Sequence, residues 1–222
     1  MSRPGLVALG DSITFGDVAP MLGVRSWSWA QWLATALELP YTGLAQPGAT
    51  VADLLVRQVP RLDGPYAVGC LWIGVNDVRS PRFDPGAYAA GLAAAADAVA
   101  AACERVVMPT IPLDLGRPRA GRATVTAANG IVAAQARRVG AALVGLSGLR
   151  GRRLVLPDAV HLTALGELEV ADRAARALGA PVLPSSLCEV DRSARGALRW
   201  MLTGHAAALA RDWARRARER PR

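Results

Sequence analysis

Short apolar runs alternate with longer stretches of helical periodicity over the first 180 residues. Five of these runs predict β-strands, at positions 5–9, 41–45, 66–73, 105–111 and 141–146. The run at 66–73 is unbroken, which is typical of a strand buried on both faces. Because a helical pattern follows each strand, the order of elements predicts a parallel sheet covered by helices on both faces.

The predicted helices follow the strands, at positions 27–37, 50–60, 84–103, 124–139 and 161–178. Apolar residues recur every four positions along the first of them, on one face that carries Trp29, Leu33 and Leu37. Thr50 is a suitable N-cap for the second helix, and Pro85 suits the first turn of the third.

The last forty residues differ from the rest of the chain. A Pro- and Ser-containing connector at 181–186 separates a main domain, 1–184, from a helical extension, 185–222. One face of this extension carries Leu198, Leu202, Leu209 and Trp213, a stripe carries Arg211, Arg215 and Arg218, and Gly204 is a candidate break. Two interpretations stay open: contact with an anionic membrane surface or lipid-like substrate, or packing on the main domain or a partner subunit. The narrow, Ala-rich apolar face favours packing.

Composition excludes several classes of protein. The chain has 222 residues, 52% of them hydrophobic and 20% charged, which fits one globular domain with a short extension and excludes a disordered protein. The net charge of +8 comes from 26 Arg and no Lys, and nine of these Arg against four acids follow position 188. No motif combines basic and aromatic residues as in nucleic-acid binding, so we attribute the Arg content to compositional bias and expect no nucleic-acid partner.

Hydropathy and cysteine content bear on location. No stretch reaches the roughly 18 apolar residues of a membrane span, and the apolar run at 6–9 is too short for a secretory signal. The three cysteines, Cys70, Cys103 and Cys188, are odd in number and far apart, which argues against a disulfide framework or a zinc site. We therefore expect a cytoplasmic protein without a metal or an organic cofactor.

Five polar or glycine positions follow predicted strands, the last two of them just before the final predicted helix. Ser12 follows the first strand, Gly48 the second and Asn76 the third, while Asp158 and His161 follow the fifth. Ligands of open parallel sheets bind outside the carboxyl ends of the strands. These residues are therefore the candidates for a functional site.

The chemistry of these residues matches acyl transfer. A serine hydroxyl needs a neighbouring base, which His161 can supply, and Asp158 can orient the imidazole. The backbone N–H groups of Ser12 and Gly48 and the amide of Asn76 can stabilise an oxyanion. Each motif alone also fits a plain helix cap or turn, so the interpretation depends on all of them occurring together.

The four motifs occur in a fixed order: Gly-Asp-Ser-Ile-Thr at 10–14, the loop around Gly48, Gly-Val-Asn-Asp at 74–77 and Asp-Ala-Val-His at 158–161. In this order they resemble the SGNH hydrolase superfamily, the GDSL esterases and lipases, over roughly residues 5–180. Arg-Phe-Asp-Pro at 82–85 and the Trp- and Arg-rich end resemble its actinobacterial members. Gly43 and Leu162 depart from residues often found in the family, Asn and Pro, and neither change removes a catalytic group.

The resemblance implies a flavodoxin-like three-layer α/β/α sandwich with a five-stranded parallel sheet of order 2-1-3-4-5. It implies that Ser12 is the nucleophile, that Asp158 and His161 complete a triad, and that Gly48 and Asn76 join Ser12 in the oxyanion hole.

The leading hypothesis is a serine esterase that hydrolyses small acyl esters through an acyl-enzyme. The alternatives are an acyltransferase or thioesterase with the same triad, and a binding protein with an inactive site. Arginines in the loops 79–84 and 112–122 indicate either an anionic substrate or the general Arg bias. The acyl chain length and the oligomeric state are not predicted.

Other reactive or aromatic residues are assigned to packing. Cys70 lies in the middle of a predicted strand and is expected in the core, while His205 has no motif around it. A tryptophan cluster at the start of the first long helix, Trp27, Trp29 and Trp32, is expected to pack in the core rather than to line a substrate pocket.

Overall fold

The fold is built on one parallel sheet. The structure, a computed structural model, describes residues 4–16, 18, 21–116, 119–191, 193–206 and 209–210. Its strands are β1 (Leu6–Gly10), β2 (Tyr41–Gly43), β3 (Tyr66–Trp72), β4 (Cys103–Pro109) and β5 (Ala142–Val144). All neighbours are parallel and the order is β2-β1-β3-β4-β5. The predicted five-stranded sheet and its order are confirmed.

Eight α-helices accompany the sheet in the described part of the chain: α1 (Ser12–Phe15), α2 (Trp29–Ala36), α3 (Val51–Arg57), α4 (Val75–Arg79), α5 (Pro85–Ala102), α6 (Arg122–Arg138), α7 (Ala164–Ala177) and α8 (Ala194–Trp200). Helices α2 and α7 pack against each other in one layer, and α5 packs against α3 and α6 in the other. The three-layer α/β/α arrangement is therefore confirmed.

The central strands place the nucleophile candidate. Strand β1 is buried along its whole length and lies between β2 and β3, with Gly10 opposite Trp72 at its carboxyl end. Ser12 comes two residues later, so it stands between the loops that follow β2 and β3. The edge strands β2 and β5 have three residues each and are shorter than the predicted runs.

Predicted capping residues start two of the helices. Thr50 Oγ1 accepts a hydrogen bond from Asp53 N at 3.3 Å, and Asp53 Oδ2 accepts one from Thr50 N at 3.1 Å. This reciprocal pair is the capping box of α3. Asp84 caps α5 through Gly86 N at 2.8 Å, with Pro85 as the first helical residue.

The last long helix begins later than predicted. Thr163 is its N-cap and accepts a hydrogen bond from Gly166 N at 3.1 Å, so α7 starts at Ala164. His161 therefore lies in the preceding loop, and the predicted helix start at 161 is wrong. An antiparallel bridge between Val155 and Leu162 closes this loop before the helix can begin.

Most of the aromatic and sulfur-containing residues assigned to packing lie in the core. Trp29, Trp32 and Cys70 are buried, as expected, whereas Trp27 is partly buried and packs at the edge of the core, with its ring 4.8 Å from that of Trp32. Trp29 Nε1 also donates to Thr14 Oγ1 at 3.2 Å, a bond between α2 and the short helix that carries Ser12.

Beyond α7 the chain forms short helical pieces. A 3₁₀-helix covers Pro184–Leu187, and a π-helix at Met201–His205 follows α8, so the helix widens at the candidate break Gly204. Leu198 and Leu202 are exposed, whereas Trp200 packs partly against the core. Trp213, Arg211, Arg215 and Arg218 lie outside the described residues. The division at residue 184 and the role of the extension stay predictions.

Within the described ranges, no helix combines the length and the apolar character that a membrane crossing requires.

A buried carboxyl group connects the two helices of one layer. Glu167, on α7, is fully buried, and its Oε2 accepts a hydrogen bond from Trp29 N, the first N–H of α2, at 2.8 Å. Its Oε1 has no hydrogen-bond partner among the described residues. Burial raises the pKa of Glu167 well above its ordinary value, and the nearby charge of Asp11 raises it further.

We expect Glu167→Gln to remove one part of the pH dependence of stability. The folded-state pKa of Glu167 is raised, so its contribution to stability is present at low pH and is lost as pH rises above the ordinary value of 4.5. In that window the free energy of unfolding falls by about 1.4 kcal/mol per pH unit. Glutamine keeps an acceptor for Trp29 N and never ionises, so the variant lacks this loss.

Urea unfolding of both proteins between pH 5 and pH 8 measures this. The variant gains stability relative to the parent as pH rises. A difference that stays constant across the range contradicts the assignment of a raised pKa to Glu167.

Candidate active site

Two residues far apart in the sequence meet at the carboxyl end of β1. Ser12 Oγ lies 2.8 Å from His161 Nε2, across 149 positions of the chain. Ser12 is the first residue of α1, whose N-cap Asp11 accepts a hydrogen bond from Ile13 N at 3.0 Å. The hydroxyl and the imidazole are thus within proton-transfer distance.

Asp158 holds the other side of the imidazole. Its Oδ2 lies 2.6 Å from His161 Nδ1, while its Oδ1 accepts hydrogen bonds from Val160 N at 2.9 Å and His161 N at 3.0 Å. Leu156 N donates to His161 O at 2.8 Å and closes the same turn. One carboxylate therefore fixes both the ring and the backbone that carries it.

The turn contains an unusual backbone conformation. Ala159 has a φ of 55°, in the left-handed region that non-glycine residues rarely adopt. Its N–H donates to Leu156 O at 2.9 Å, and its carbonyl accepts from Gly116 N at 2.8 Å. These two hydrogen bonds hold the turn in which the Asp158 carboxylate faces the His161 ring.

The ionisation of Asp158 sets the tautomer of the histidine. Burial opposes ionisation of Asp158, but the hydrogen bond and the charge of His161, with the two backbone N–H donors, outweigh it and lower the pKa of the carboxyl group well below its usual range. The carboxylate accepts the proton on Nδ1, so in a neutral imidazole Nε2 is the acceptor that faces Ser12.

The loops after β2 and β3 are joined across the end of β1. Asn76 Nδ2 donates to Ala49 O at 3.0 Å, and Asp77 Oδ1 accepts from Val51 N at 3.1 Å. Asn76 lies on α4, two residues after the N-cap Gly74, where a Cβ would come within 2.4 Å of Tyr88 Oη. The amide of Asn76 has a second N–H, for which the described residues supply no acceptor.

Gly48 has a conformational reason to be glycine. Its φ is 77°, and a Cβ added there would meet no atom within 4 Å. The left-handed backbone conformation favours glycine here, and the absence of a side chain also leaves the Gly48 N–H open to a substrate. Among the described residues its N–H has no hydrogen-bond partner. The N–H of Ser12, at the start of α1, also lacks a helical acceptor.

Two buried residues near the site were not identified from the sequence. Gln58 is fully buried and forms two hydrogen bonds with Gly10: Gly10 N donates to Gln58 Oε1 at 2.9 Å, and Gln58 Nε2 donates to Gly10 O at 2.8 Å. A single glutamine at the end of a helix carries no sequence signal for such a role. Asp11 belongs to the Gly-Asp-Ser-Ile-Thr motif, but the motif gave it no role. Burial raises its pKa to about 7, and its Oδ2 has no partner among the described residues.

The side chains in the described ranges offer no metal site, since no group of three or more His, Cys, Asp or Glu is arranged to hold an ion.

Comparison with known proteins identifies related sequences and folds. The sequence model of the GDSL-like Lipase/Acylhydrolase family matches residues 8–167. The comparison with curated proteins returned no match.

Solved structures share the fold. An alpha/beta hydrolase enzyme from the metagenome of Lake Arreo, Spain, is 22% identical, with 81% of this chain and 97% of that chain covered and a TM-score of 0.65. An acetylxylan esterase from Geobacillus stearothermophilus is 21% identical, with 80% and 95% covered and a TM-score of 0.62. A further acetyl xylan esterase is 21% identical, with 78% and 99% covered and a TM-score of 0.62.

These structures are similar in fold over most of their own length. The family match covers more than half of the chain and includes Ser12, Gly48, Asn76 and His161. The chain therefore belongs to the GDSL-like lipase/acylhydrolase family and is a carboxylic ester hydrolase.

Proposed function

We propose that this protein is a serine esterase that hydrolyses small acyl esters through an acyl-enzyme formed on Ser12. The observation that carries the proposal is the unbroken series of contacts from Ser12 Oγ to His161 at 2.8 Å and from His161 to Asp158 at 2.6 Å. Two of the structures that share the fold are acetylxylan esterases, which supports an acyl group as small as acetyl.

The first half-reaction forms the acyl-enzyme. His161 Nε2 takes the proton of Ser12 Oγ while the oxygen attacks the ester carbonyl carbon. The negative charge that develops on the carbonyl oxygen is stabilised by the N–H groups of Ser12 and Gly48 and by the amide of Asn76. His161 then gives its proton to the departing alcohol as the tetrahedral intermediate collapses.

The second half-reaction uses the same groups with water as nucleophile. His161 takes a proton from water, the hydroxide oxygen attacks the acyl carbon, and the proton returns to Ser12 as the acid leaves. Asp158 stays ionised throughout, since its lowered pKa keeps it charged beside the imidazolium. The His161 side chain is 21% exposed, so water can reach the base that has to activate it.

Accessible water favours hydrolysis over acyl transfer, which would share the first half-reaction and differ in the acceptor. The remaining expectations stay predictions: a cytoplasmic location, a main domain at 1–184, similarity to actinobacterial members and no nucleic-acid partner.

Asn76→Ala tests the oxyanion role. An amide that donates to an oxyanion acts only when the tetrahedral species forms, so its removal lowers kcat and leaves KM nearly unchanged. We expect kcat for an acetyl ester to fall by about 10²–10³. Steady-state kinetics measure this, with Ser12→Ala as the baseline for a site without a nucleophile.

The hydrogen bond from Asn76 to Ala49 gives a competing outcome. If that bond were the only role of Asn76, the variant would melt at a lower temperature and its folded fraction would turn over at the parent rate. Melting curves recorded with the kinetics separate the two outcomes, and a destabilised but fully active variant contradicts the oxyanion role.

A further inference from the structure

A cavity of about 570 Å³ is lined by Asn76 but by none of Ser12, Asp158 and His161. Its apolar wall includes Val78, Pro81 and Phe83, and Phe83 is held against Tyr88 at a ring distance of 5.6 Å. Asn76, the proposed oxyanion donor, lines the cavity, so one end of an ester bound at Ser12 can enter it.

The charged groups that line this cavity are all cationic. Arg79 and Arg119 both contribute to its wall, and no carboxyl group does so in the described part of the chain. Arg119 Nε lies 2.9 Å from Asp114 Oδ1, a carboxylate outside the lining, and this exposed ion pair leaves the other guanidinium N–H groups of Arg119 for a ligand. Arg79 forms no ion pair with any described residue.

A guanidinium group binds carboxylate and other oxyanions through paired N–H donors. We infer that the substrate is a small ester that carries a second, free carboxylate or similar oxyanion, which binds Arg79 and Arg119. This inference rests on the proposed esterase function and names its substrate class. It selects the anionic-substrate interpretation of the loop arginines over compositional bias.

Pairs of esters that differ only in charge test the inference. For the acyl side, monomethyl succinate is compared with methyl 4-methylpentanoate. For the alcohol side, 3-acetoxypropanoate is compared with 3-methylbutyl acetate. In each pair a carboxylate replaces an isopropyl group of similar shape. We expect the anionic ester to have the higher kcat/KM in one of the two pairs, by about tenfold.

Variants assign the preference to the cavity. Arg79→Gln and Arg119→Gln each lower the anionic-to-neutral ratio of kcat/KM by roughly threefold to tenfold. Arg82→Gln is the matched control, because Arg82 is exposed in the same loop and does not line the cavity. The ratio also falls with added salt, which screens exposed charges.

The outcomes separate this inference from the function on which it rests. Hydrolysis of neutral and anionic esters with equal efficiency in both pairs overturns the anionic class and leaves the esterase intact. An effect of Arg82→Gln as large as those of the other two variants also overturns it, because it would show a general charge effect. If none of the four esters is hydrolysed, both proposals fail.

A second inference comes from the pair of hydrogen bonds between Gln58 and Gly10. Strand β2 pairs with β1 only as far as Ala8, so Gly10 has no strand neighbour on that side. The side-chain amide of Gln58 lies there instead. Its Oε1 accepts from Gly10 N at 2.9 Å, and its Nε2 donates to Gly10 O at 2.8 Å. Gly10 O also accepts from Gln46 N at 3.1 Å, in the loop that carries Gly48.

The carbonyl of Gly10, two residues before Ser12, is thus bonded both to Gln58 and to the loop that carries Gly48, a proposed oxyanion donor. We infer that Gln58 is a positioning residue that sets the nucleophile relative to the oxyanion hole. Displacement of a reacting group by about 1 Å can cost roughly 10²-fold in rate. The effect of Gln58 is therefore expected in kcat rather than in KM.

Asn129 provides a matched control elsewhere in the fold. Its side chain forms the same two bonds with a single residue, Ile111, through N and O, both at 2.7 Å. We expect Gln58→Leu and Asn129→Leu to lower the melting temperature to a similar degree. Only Gln58→Leu lowers kcat of the folded enzyme, by about tenfold to a hundredfold. Parent-like kcat in Gln58→Leu overturns the inference.

Gln58→Glu gives a second readout that remains informative if the leucine variant does not fold. A neutral carboxyl group can accept from Gly10 N and donate to Gly10 O, whereas a carboxylate cannot donate. We expect kcat of this variant, relative to the parent, to fall as pH rises. A ratio that is independent of pH contradicts the positioning role.

Discussion

The hydrogen bond between Ser12 Oγ and His161 Nε2, 2.8 Å long, joins two residues that no local structure could bring together. Each is fixed by a different part of the fold. Ser12 follows the buried strand β1, while His161 lies in a turn closed by the Val155–Leu162 bridge and held by Gly116. The distance between them is thus set by the packing of the whole sheet and of α7. Chemistry at this site depends on a core that is rigid on the scale of a hydrogen bond.

Beneath the site the protein buries polar groups that a purely apolar core would not contain. Asp11 and Glu167 are both buried, and each has one oxygen without a partner among the described residues. Burial raises the pKa of both. The partners that they do have are backbone N–H groups at the starts of α1 and α2. When ionised, these buried carboxyl groups lower the stability of the fold. Their hydrogen bonds hold the first turn of α1, which carries Ser12, and the first turn of α2.

The sequence predicts the parts of the fold in which pattern and environment agree. Strands β1 and β3 and helix α5 lie within one or two residues of their predicted limits, because continuous apolar runs indicate burial and Pro85 marks the first turn of a helix. Helices α1 and α4 have four and five residues, too few for any periodicity to show. The start of α7 cannot be found from periodicity, because the Val155–Leu162 bridge and the Thr163 cap set it rather than the apolar pattern.

In the candidate site, too, local motifs were predictable and long-range contacts were not. The motifs around Ser12, Gly48, Asn76 and His161 are local in sequence, so they could be found without a structure. The role of Gln58 could not, since it depends on a contact between residues 48 positions apart. The conformational reason for glycine at position 48 also required the structure, because a sequence typical of a turn does not show whether φ is positive.

The central claim is that the imidazole makes Ser12 a nucleophile, and mapping the site of covalent modification tests it most directly. The native chain is treated with a small fluorophosphonate, and the adduct is located by intact-mass and peptide mass spectrometry, with urea-unfolded chain as the control. We expect one adduct per native chain, on Ser12, and none on the unfolded chain. An unlabelled native protein, or an adduct on a different serine, would contradict it.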